Sequence, residues 1–352
     1  MAIRSLRSRR YVLGLLLLLA AFPAAGQDLR AQLDSLVRRY DTLGGFNGLI
    51  IIGRGPEQVT ICSYGYKDPV RKKGKLGARD RFDLASLTKP FTGLALLQLI
   101  EQGALAPDDS LGSFVPGLSP ALQKVTVRQL ANHTNGIHDY FSLTKEHHLL
   151  SNQKVMALLS ELDSTAFPPG SRWGYTNSGY MLLSQLIGRV TGRSFEAYCA
   201  EQVLRPLGMR SFAFAPAARG VLTGYTAAGK PAAANSFSSG AAGLYASGND
   251  IAAFYKTVCR DTARWRKYFT MSAAWADRSN EAGWDYGFGW YFTTDASGAF
   301  RAHSGRNEGA YNYMRWYEGT NTFVCLLSNK NDDFIRKLRE EVVQLVLSGT
   351  KR

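Results

Sequence analysis

The stretch Asp83-Leu84-Ala85-Ser86-Leu87-Thr88-Lys89-Pro90 leads directly into an apolar run over residues 91–100, which predicts a buried helix. If that helix begins near Ser86, the side chains of Ser86 and Lys89 lie one turn apart on the same face. A serine hydroxyl is a weak nucleophile until a neighbouring base takes its proton. A lysine can take it only when neutral, which requires burial to lower its pKa by roughly three units. The stretch therefore predicts Ser86 as a nucleophile and Lys89 as its base.

The spacing Ser-x-x-Lys is not specific by itself, since it occurs repeatedly, for example starting at Ser86, Ser142 and Ser151. Only Ser86 opens a long apolar helix, in which a nucleophile could be held rigidly. An ordinary N-cap serine would also suit this position. The assignment of Ser86 therefore depends on two later motifs.

The N terminus has the order of a secretory signal. Residues 1–10 carry four arginines and no acidic residue, residues 11–22 are apolar with five consecutive leucines, and Ala24-Ala25-Gly26 are small. This order predicts a signal peptide over residues 1–26, cut before Gln27, and a secreted or periplasmic protein. An uncleaved anchor is the alternative, although the apolar run is short for a membrane span.

The charge of the chain bears on its partners. Removing the predicted signal lowers the formal net charge from +14 to +10, because the signal carries four arginines. Exported proteins meet little nucleic acid, so we predict no nucleic-acid partner. The remaining basic clusters indicate solvated faces with a loose attraction to the anionic cell envelope. The expected partner is a small-molecule or peptide substrate, and the oligomeric state stays open.

No cofactor and no metal are predicted. The four cysteines are far apart and lack metal-ligand spacing, and the neighbouring pair His147-His148 would point apart on a helix or a strand. Two interpretations of the cysteines stand: one or two disulfides in an oxidising compartment, or small residues of the core. The four positions are Cys62, Cys199, Cys259 and Cys325.

The order of predicted elements indicates the fold class. A helix over residues 27–43 precedes strands over 46–53 and 59–66, residues 86–212 are mainly helical, and 221–243 form a loop. Strands over 287–293, 299–303, 310–317 and 322–328 precede a final helix over 332–348, with Phe334, Leu338, Val342 and Leu345 inward. This order predicts an α/β (α+β sandwich) fold, in which an antiparallel sheet is flanked by the terminal helices and an all-helical lobe is inserted. We predict one domain over 27–352, with a sheet lobe (27–84 and 213–352) and a helical lobe (85–212).

A second motif is Tyr175-Thr176-Asn177, which is the only Tyr-x-Asn in the chain. A tyrosine whose pKa is lowered can take or give a proton near a cationic lysine. The asparagine amide can bind a substrate carbonyl and the lysine together. A buried tyrosine at a helix start is the alternative.

A third motif is His303-Ser304-Gly305, a cation-hydroxyl-glycine triplet at the end of a predicted strand. A hydroxyl and a glycine at that position would let a substrate backbone lie along the strand edge. An ordinary strand end is the alternative.

Together, the three motifs resemble the serine β-lactamase and penicillin-binding protein family, particularly its class C β-lactamase and D-alanyl-D-alanine carboxypeptidase branch. The resemblance covers essentially the whole mature chain and includes His133-Thr134-Asn135-Gly136 and Pro206-Leu207-Gly208-Met209. It implies a β-lactamase/transpeptidase-like fold with the active site in the cleft between the two lobes.

The resemblance also implies catalytic roles. Ser86 attacks a carbonyl carbon and becomes acylated, while Lys89 and Tyr175 relay the proton, with either of them as the base. The oxyanion hole is formed by the backbone N–H groups of Ser86 and Arg306, and one such donor is typically worth about 3 to 4 kcal/mol.

Substrate-binding roles are implied for five further positions. Asn177 orients the substrate amide, and Ser304, beside Gly305, binds a substrate carboxylate or shares in proton transfer, with His303 behind it. β-Lactamases of this branch usually have lysine in place of His303, so the resemblance favours peptidase and esterase relatives. Arg306 departs from the usual small residue or threonine. Three alternatives stand for its side chain: it binds a substrate carboxylate, it faces solvent, or it pairs with Glu308. The pairing with Glu308 is slightly favoured.

The predicted function is that of an exported serine hydrolase, acting through an acyl-enzyme on a D-amino-acid peptide or a small amide or ester. Two alternatives stand: a class C-like β-lactamase, and a penicillin-binding sensor or scaffold without turnover. An α/β-hydrolase is disfavoured, because the chain contains no G-x-S-x-G elbow.

Overall fold

The computed structural model of the protein describes residues 22–145, 150–215, 217–233, 239–279 and 283–349, with side chains from Leu29 onward. In chain order, its strands are β1 (Gly48–Arg54), β2 (Val59–Tyr64), β3 (Tyr66–Asp68), β4 (Lys73–Lys75), β5 (Arg81–Asp83), β6 (Ala213–Phe214), β7 (Leu244–Ser247), β8 (Asp277–Arg278), β9 (Asp285–Gly287), β10 (Trp290–Asp295), β11 (Gly298–Asn307), β12 (Ala310–Tyr317) and β13 (Thr322–Ser328). Its α-helices are α1 (Phe22–Arg38), α2 (Lys89–Glu101), α3 (Pro120–Gln123), α4 (Val127–Ala131), α5 (Tyr140–Leu143), α6 (Asn152–Ser160), α7 (Asn177–Thr191), α8 (Phe195–Cys199), α9 (Gly248–Arg260), α10 (Thr262–Ala274) and α11 (Ile335–Ser348).

An antiparallel sheet forms the centre of the molecule, with the strand order β2-β1-β13-β12-β11-β10-β9-β8. Every residue of β12 and β13 is buried, so both faces of the central strands are covered. Such strands read as nearly continuous apolar runs, as the sequence of β13 does. The predicted sandwich architecture is confirmed.

The two terminal helices cover one face of the sheet. Their apolar side chains share a core cluster with residues of the central strands. Along α11, Ile335, Leu338, Val342 and Val346 are buried, whereas the predicted inward residues Phe334 and Leu345 are only partly buried. The inward face is therefore rotated slightly from the predicted one.

The opposite face of the sheet contacts the helical region. A second apolar cluster joins helices α2, α7, α9 and α10 to the sheet. The described helical turns of the inserted region run from Ala85 to Leu204, and strand structure resumes at Ala213. Thr126 forms the predicted capping box with Gln129 at the start of α4.

Several predicted element boundaries differ from the observed ones. Helix α1 ends at Arg38, and a 3-10 turn over Asp41–Leu43 completes the predicted segment. The predicted strand over 287–293 begins only at Trp290, because Phe288 and Gly289 both have positive φ and form the two-residue turn between β9 and β10. The predicted signal peptide falls mainly on residues 1–21, which lie outside the described residues.

All four cysteines are free, and Cys62, Cys199 and Cys325 are buried. The disulfide interpretation is therefore wrong, and three of the four cysteines are core residues. Within the described part of the chain, none of the helices has the length and apolar character needed to cross a membrane.

Candidate active site

Ser86 lies in a tight 3-10 turn, Ala85–Thr88, that precedes helix α2. Ala85 has a φ of +48°, a left-handed conformation that costs energy for a residue other than glycine. Its N–H donates to Asp83 Oδ1 at 2.8 Å, and Asp83 Oδ2 accepts from Asn307 Nδ2 at 2.9 Å. The helix therefore begins at Lys89 rather than near Ser86, and the strained turn before it presents the serine hydroxyl.

Lys89 is completely buried and surrounded by three oxygen atoms. Its Nζ lies 3.1 Å from Ser86 Oγ, 2.9 Å from Asn177 Oδ1 and 2.9 Å from the Ala241 carbonyl oxygen. A neutral amine has two N–H groups and one lone pair. The Asn177 and Ala241 oxygens can only accept, so they take both N–H groups and leave the lone pair facing the Ser86 hydroxyl.

Burial lowers the pKa of Lys89 to about 7, and the negative charge of Asp139 opposes this shift. About half of the lysine is then neutral near pH 7. Lys89 thus has both the geometry and the protonation state of a general base toward Ser86.

Tyr175 donates its hydroxyl hydrogen to Ser86 Oγ at 2.9 Å. Burial raises the pKa of Tyr175 well above 10, so the hydroxyl stays protonated. The expectation of a lowered tyrosine pKa is therefore wrong, because the desolvation of the phenolate outweighs its other interactions. The hydrogen-bond chain runs from Tyr175 to Ser86 to Lys89, which favours the lysine as the base.

Asp139 fixes the orientation of Asn177, and sequence reasoning missed it. Asp139 Oδ2 accepts from the backbone N–H of Asn177 at 2.6 Å and from its side-chain amide at 3.0 Å. The amide nitrogen of Asn177 is thereby turned away from Lys89 and its oxygen toward it. Asp139 also caps helix α5 through Phe141 N–H. No sequence motif marked this residue.

His133 is a second buried residue beside the site that the sequence did not mark as functional. Its φ is +61°, its Nδ1 accepts from Thr176 N–H at 3.3 Å, and its ring centroid lies 4.3 Å from that of Tyr175. Burial holds the pKa of His133 well below its usual range. The neutral ring supports one side of Tyr175. The only indication of His133 in the sequence was the segment His133-Thr134-Asn135-Gly136, which is part of the family resemblance.

The triplet at positions 303–305 was predicted to end a strand, but it lies within β11. Pairing with β12 continues to Asn307, which faces Ala310 across a two-residue turn. Pairing with β10 stops at Ala302. Residues 303–307 therefore form an open edge beside Ser86.

The backbone direction along this edge follows from the register. Asn307 and Ala310 close a two-residue hairpin and are a hydrogen-bonded pair, so such pairs alternate from there along the ladder. The N–H of Arg306 consequently points away from β12, toward the open edge. This is the direction required of an oxyanion-hole donor.

Gly305 allows the nucleophile turn to approach this strand. A Cβ at position 305 would overlap the Leu84 carbonyl oxygen and come within 3.2 Å of the Ser86 nitrogen. Position 305 therefore requires glycine, because a side chain there would collide with the nucleophile turn.

His303 is neutral and not a cation. Its Nδ1 lies 2.6 Å from the Ser304 carbonyl oxygen, which can only accept, so Nδ1 carries the hydrogen. Its Nε2 then accepts from the Tyr286 hydroxyl at 3.0 Å. Burial lowers the pKa of His303 to about 3, with a smaller contribution from the nearby Lys89. Both ring nitrogens are satisfied by the protein, so His303 supports the edge from behind.

The side chain of Arg306 points away from Ser86. Its Nε donates to Asn331 Oδ1 at 2.8 Å and its Nη2 to Asp333 Oδ1 at 2.6 Å. The predicted pairing with Glu308 is wrong, because the Arg306 side chain binds Asn331 and Asp333 in the segment after β13 instead. Position 306 therefore faces the site through its backbone alone.

Among the described residues, no three His, Cys, Asp or Glu side chains are placed to hold a metal ion. His147 and His148 lie outside the described residues.

Comparisons with known proteins agree with this geometry. A family model described as Beta-lactamase matches residues 33–348. The chain is 35% identical over 191 residues to penicillin-binding protein 4* of Bacillus subtilis, covering 52% of this chain and 41% of that protein. The chain spans less than two thirds of the length of the curated relatives that it matches first.

Two solved structures share the fold. A D-amino acid amidase from Ochrobactrum anthropi superposes with a TM-score of 0.77 at 21% identity, covering 92% of this chain and 98% of that one. A D-alanine carboxypeptidase from Burkholderia cenocepacia superposes with a TM-score of 0.76 at 17% identity, covering 92% and 99%. At these identities the likeness establishes the β-lactamase/transpeptidase-like fold.

Proposed function

Because the chain belongs to the beta-lactamase family of serine hydrolases, we propose that it is an exported hydrolase that forms an acyl-enzyme on Ser86. The proposed substrate is a D-amino-acid peptide or a small amide or ester. One observation carries the proposal: Ser86 Oγ lies between the Tyr175 hydroxyl, at 2.9 Å, and the Lys89 amine, at 3.1 Å.

The proposed reaction has two halves. Ser86 Oγ attacks the substrate carbonyl carbon while its proton passes to Lys89, and the carbonyl oxygen takes the negative charge beside the N–H groups of Ser86 and Arg306. The C–N or C–O bond then breaks. The proton held by Lys89 returns to the leaving group, with the Tyr175 hydroxyl placed to pass it on. Water attacks the acyl-enzyme with the same groups acting in reverse.

The substrate class is supported by the position of His303 and by the relatives. A neutral histidine stands where β-lactamases of the resembled branch have a lysine, and two structures of this fold are named a D-amino acid amidase and a D-alanine carboxypeptidase. The alternative of penicillin binding without turnover is supported by the relative named a penicillin-binding protein, and that of β-lactam hydrolysis by the matching family model.

Export is proposed from the N-terminal sequence alone. Expression of the full chain in a bacterial host, followed by mass measurement of the protein recovered outside the cytoplasm, tests it. A mature N terminus at Gln27 supports export, and retention of the intact chain in the cytoplasm contradicts it.

A labelling experiment tests the nucleophile. The mature protein, Ser86→Ala and Ser142→Ala are incubated with a fluorescent penicillin and, separately, with a p-nitrophenyl ester. Ser142 begins the same four-letter sequence, SLTK, at an exposed position of helix α5 and is the matched control. We expect turnover or a covalent adduct in the wild type and Ser142→Ala, and neither in Ser86→Ala.

The pattern of substrates then separates the alternatives. Ester turnover without penicillin acylation favours the esterase or amidase function. A stable penicillin adduct favours a penicillin-binding role, and rapid release of opened penicillin favours a β-lactamase. Equal activity in Ser86→Ala would overturn the assignment of Ser86.

A further inference from the structure

A pocket with aromatic walls lies beside Ser304, at the open edge of β11. It has a volume of about 270 Å3 and opens to solvent. Four aromatic side chains make up most of its wall, and polar residues, Arg339 among them, complete it. The aromatic residues are Trp173, Trp284, Tyr291 and Tyr313, and the polar ones are Ser279, His303, Ser304 and Arg339. We call it the aromatic pocket.

The space in the pocket follows from the strand register. Ala302 pairs with Tyr291 on β10, and Ser304 pairs with Tyr313 on β12, so these four side chains share one face of the sheet. The two residues on β11 are small, and the residues on either side are large. The small residues leave a trough between the rings of Tyr291 and Tyr313.

The rings that close the trough are not fully covered by the protein. Trp173, Trp284 and Tyr291 each keep part of their surface exposed, although Trp284 packs against Tyr291 with ring centroids 5.8 Å apart. Several partly exposed aromatic side chains around one concavity indicate a surface that binds an apolar group.

The size of the pocket suits one aromatic ring. An apolar cavity of about 150 Å3 is sufficient to hold benzene. The larger volume here leaves room for the atoms that connect a ring to a peptide backbone. Aromatic pairs in offset or edge-to-face arrangements add stabilisation beyond the area that they bury.

The position of the pocket indicates which part of a substrate enters it. The proposed oxyanion donor at Arg306 is farther along the strand than Ala302 and Ser304, which lie in the pocket. Trp173 belongs to the segment of Tyr175, with ring centroids 6.4 Å apart, and Tyr175 is placed to protonate the leaving group. The group beyond the scissile bond, on the side of Tyr175, would therefore extend toward the pocket.

We propose that the aromatic pocket is the subsite for the leaving group and selects leaving groups that carry an aromatic ring. This inference rests on the proposed function of Ser86. Among peptides it predicts preference for an aromatic D-amino acid after the scissile bond.

The test uses two peptides of matched reactivity, N-acetyl-D-Ala-D-Phe-amide and N-acetyl-D-Ala-D-Ala-amide, whose leaving amines differ only in the side chain. The readout is the peptide concentration that halves the rate at which a fluorophosphonate labels Ser86, so it does not depend on peptide turnover. We expect the D-Phe peptide to protect at a concentration at least about tenfold lower.

Variants assign the preference to the pocket. Trp284→Ala should reduce the preference to within about threefold, and Trp284→Phe, which keeps a ring, should retain most of it. Trp275 packs against Phe288 and is not a wall of the pocket. Trp275→Ala is therefore the matched control and should keep the wild-type preference. Thermal unfolding of each variant checks that it is folded.

Equal protection by the two peptides, or an unchanged preference in folded Trp284→Ala, would overturn the inference. Stronger protection by N-acetyl-D-Phe-D-Ala-amide would place the ring on the acyl side and would also overturn it. Absence of Ser86 labelling in the wild type without peptide is a different result, because it contradicts the proposed function itself.

Discussion

At the residue scale, the site depends on keeping one amine neutral and one phenol protonated. Because burial brings the pKa of Lys89 to about 7, we expect kcat/KM for an ester to rise with pH and to reach half its maximum near pH 7. Tyr175→Phe should lower kcat/KM by about 10²-fold but leave this midpoint in place. A midpoint that disappears in Tyr175→Phe, or that stays near pH 7 in Lys89→Arg, would assign the base to Tyr175.

A second prediction at this scale concerns Asp139. Its charge raises the pKa of Lys89, so Asp139→Asn should move the midpoint of the pH profile of kcat/KM to lower pH. The rate on the plateau should fall about 10- to 100-fold, because one of the two oxygens becomes an NH2 donor and the side chain can no longer accept from both Phe141 N–H and Asn177. The measurement is the profile between pH 5 and 9.

The control for Asp139 is Asp163→Asn, at an exposed carboxylate outside the site. It should reproduce the wild-type profile. A fall in rate for Asp139→Asn without a shift of the midpoint would mean that Asp139 acts on structure alone and has no electrostatic effect on Lys89.

Some residues of the site could be predicted from a local sequence motif, and others could not. Ser86, Lys89, Tyr175 and Asn177 were predicted from their spacing and from the family pattern, and the structure places them within hydrogen-bonding contact. Asp139 reaches Asn177 only because folding brings the segment before helix α5 against the start of helix α7. The acceptor at Ala241 is a backbone carbonyl, and no sequence pattern distinguishes one carbonyl oxygen from another.

At the scale of elements, the site is the contact between the Ser86 turn and strand β11. A Cβ at Gly305 would strike backbone atoms of that turn, which cannot move as a flexible side chain can. We expect Gly305→Ala to destabilise the fold by about 1–3 kcal/mol and to reduce the rate of Ser86 labelling strongly. Chemical denaturation and fluorophosphonate labelling measure the two effects.

Gly319→Ala is the matched control, because a Cβ there would meet nothing within 4 Å. It should leave both stability and labelling close to wild type. If Gly305→Ala labelled as fast as Gly319→Ala, the close contact between the turn and the strand would not be needed for reactivity.

Element types were easier to predict than element ends. The hairpin of β12 and β13 matched its predicted ranges, because two apolar runs flank a polar turn. The end of β11 was misplaced because residues 303–307 have no apolar alternation to mark them as strand. Their pairing with β12 is set by the two-residue turn after Asn307.

At the scale of the whole molecule, the sandwich buries two histidines in neutral form beside Lys89. Burial lowers the pKa of His303 to about 3 and holds that of His133 well below its usual range. A histidine in the unfolded chain has a pKa of about 6.5. Between about pH 6.5 and 3 the unfolded chain therefore binds more protons than the folded one, and the free energy of unfolding falls as pH falls.

The final prediction is the size of this acid destabilisation. Each buried neutral histidine should remove up to about 1.4 kcal/mol of stability per pH unit below about 6.5. His303→Gln removes one such group, so its stability should fall less steeply between pH 6 and 4, whatever its stability at pH 7. Urea unfolding at a series of pH values gives both slopes. Equal slopes for His303→Gln and the wild type would mean that His303 takes up its proton as readily in the folded protein as in the unfolded chain, which would contradict its burial as a neutral ring.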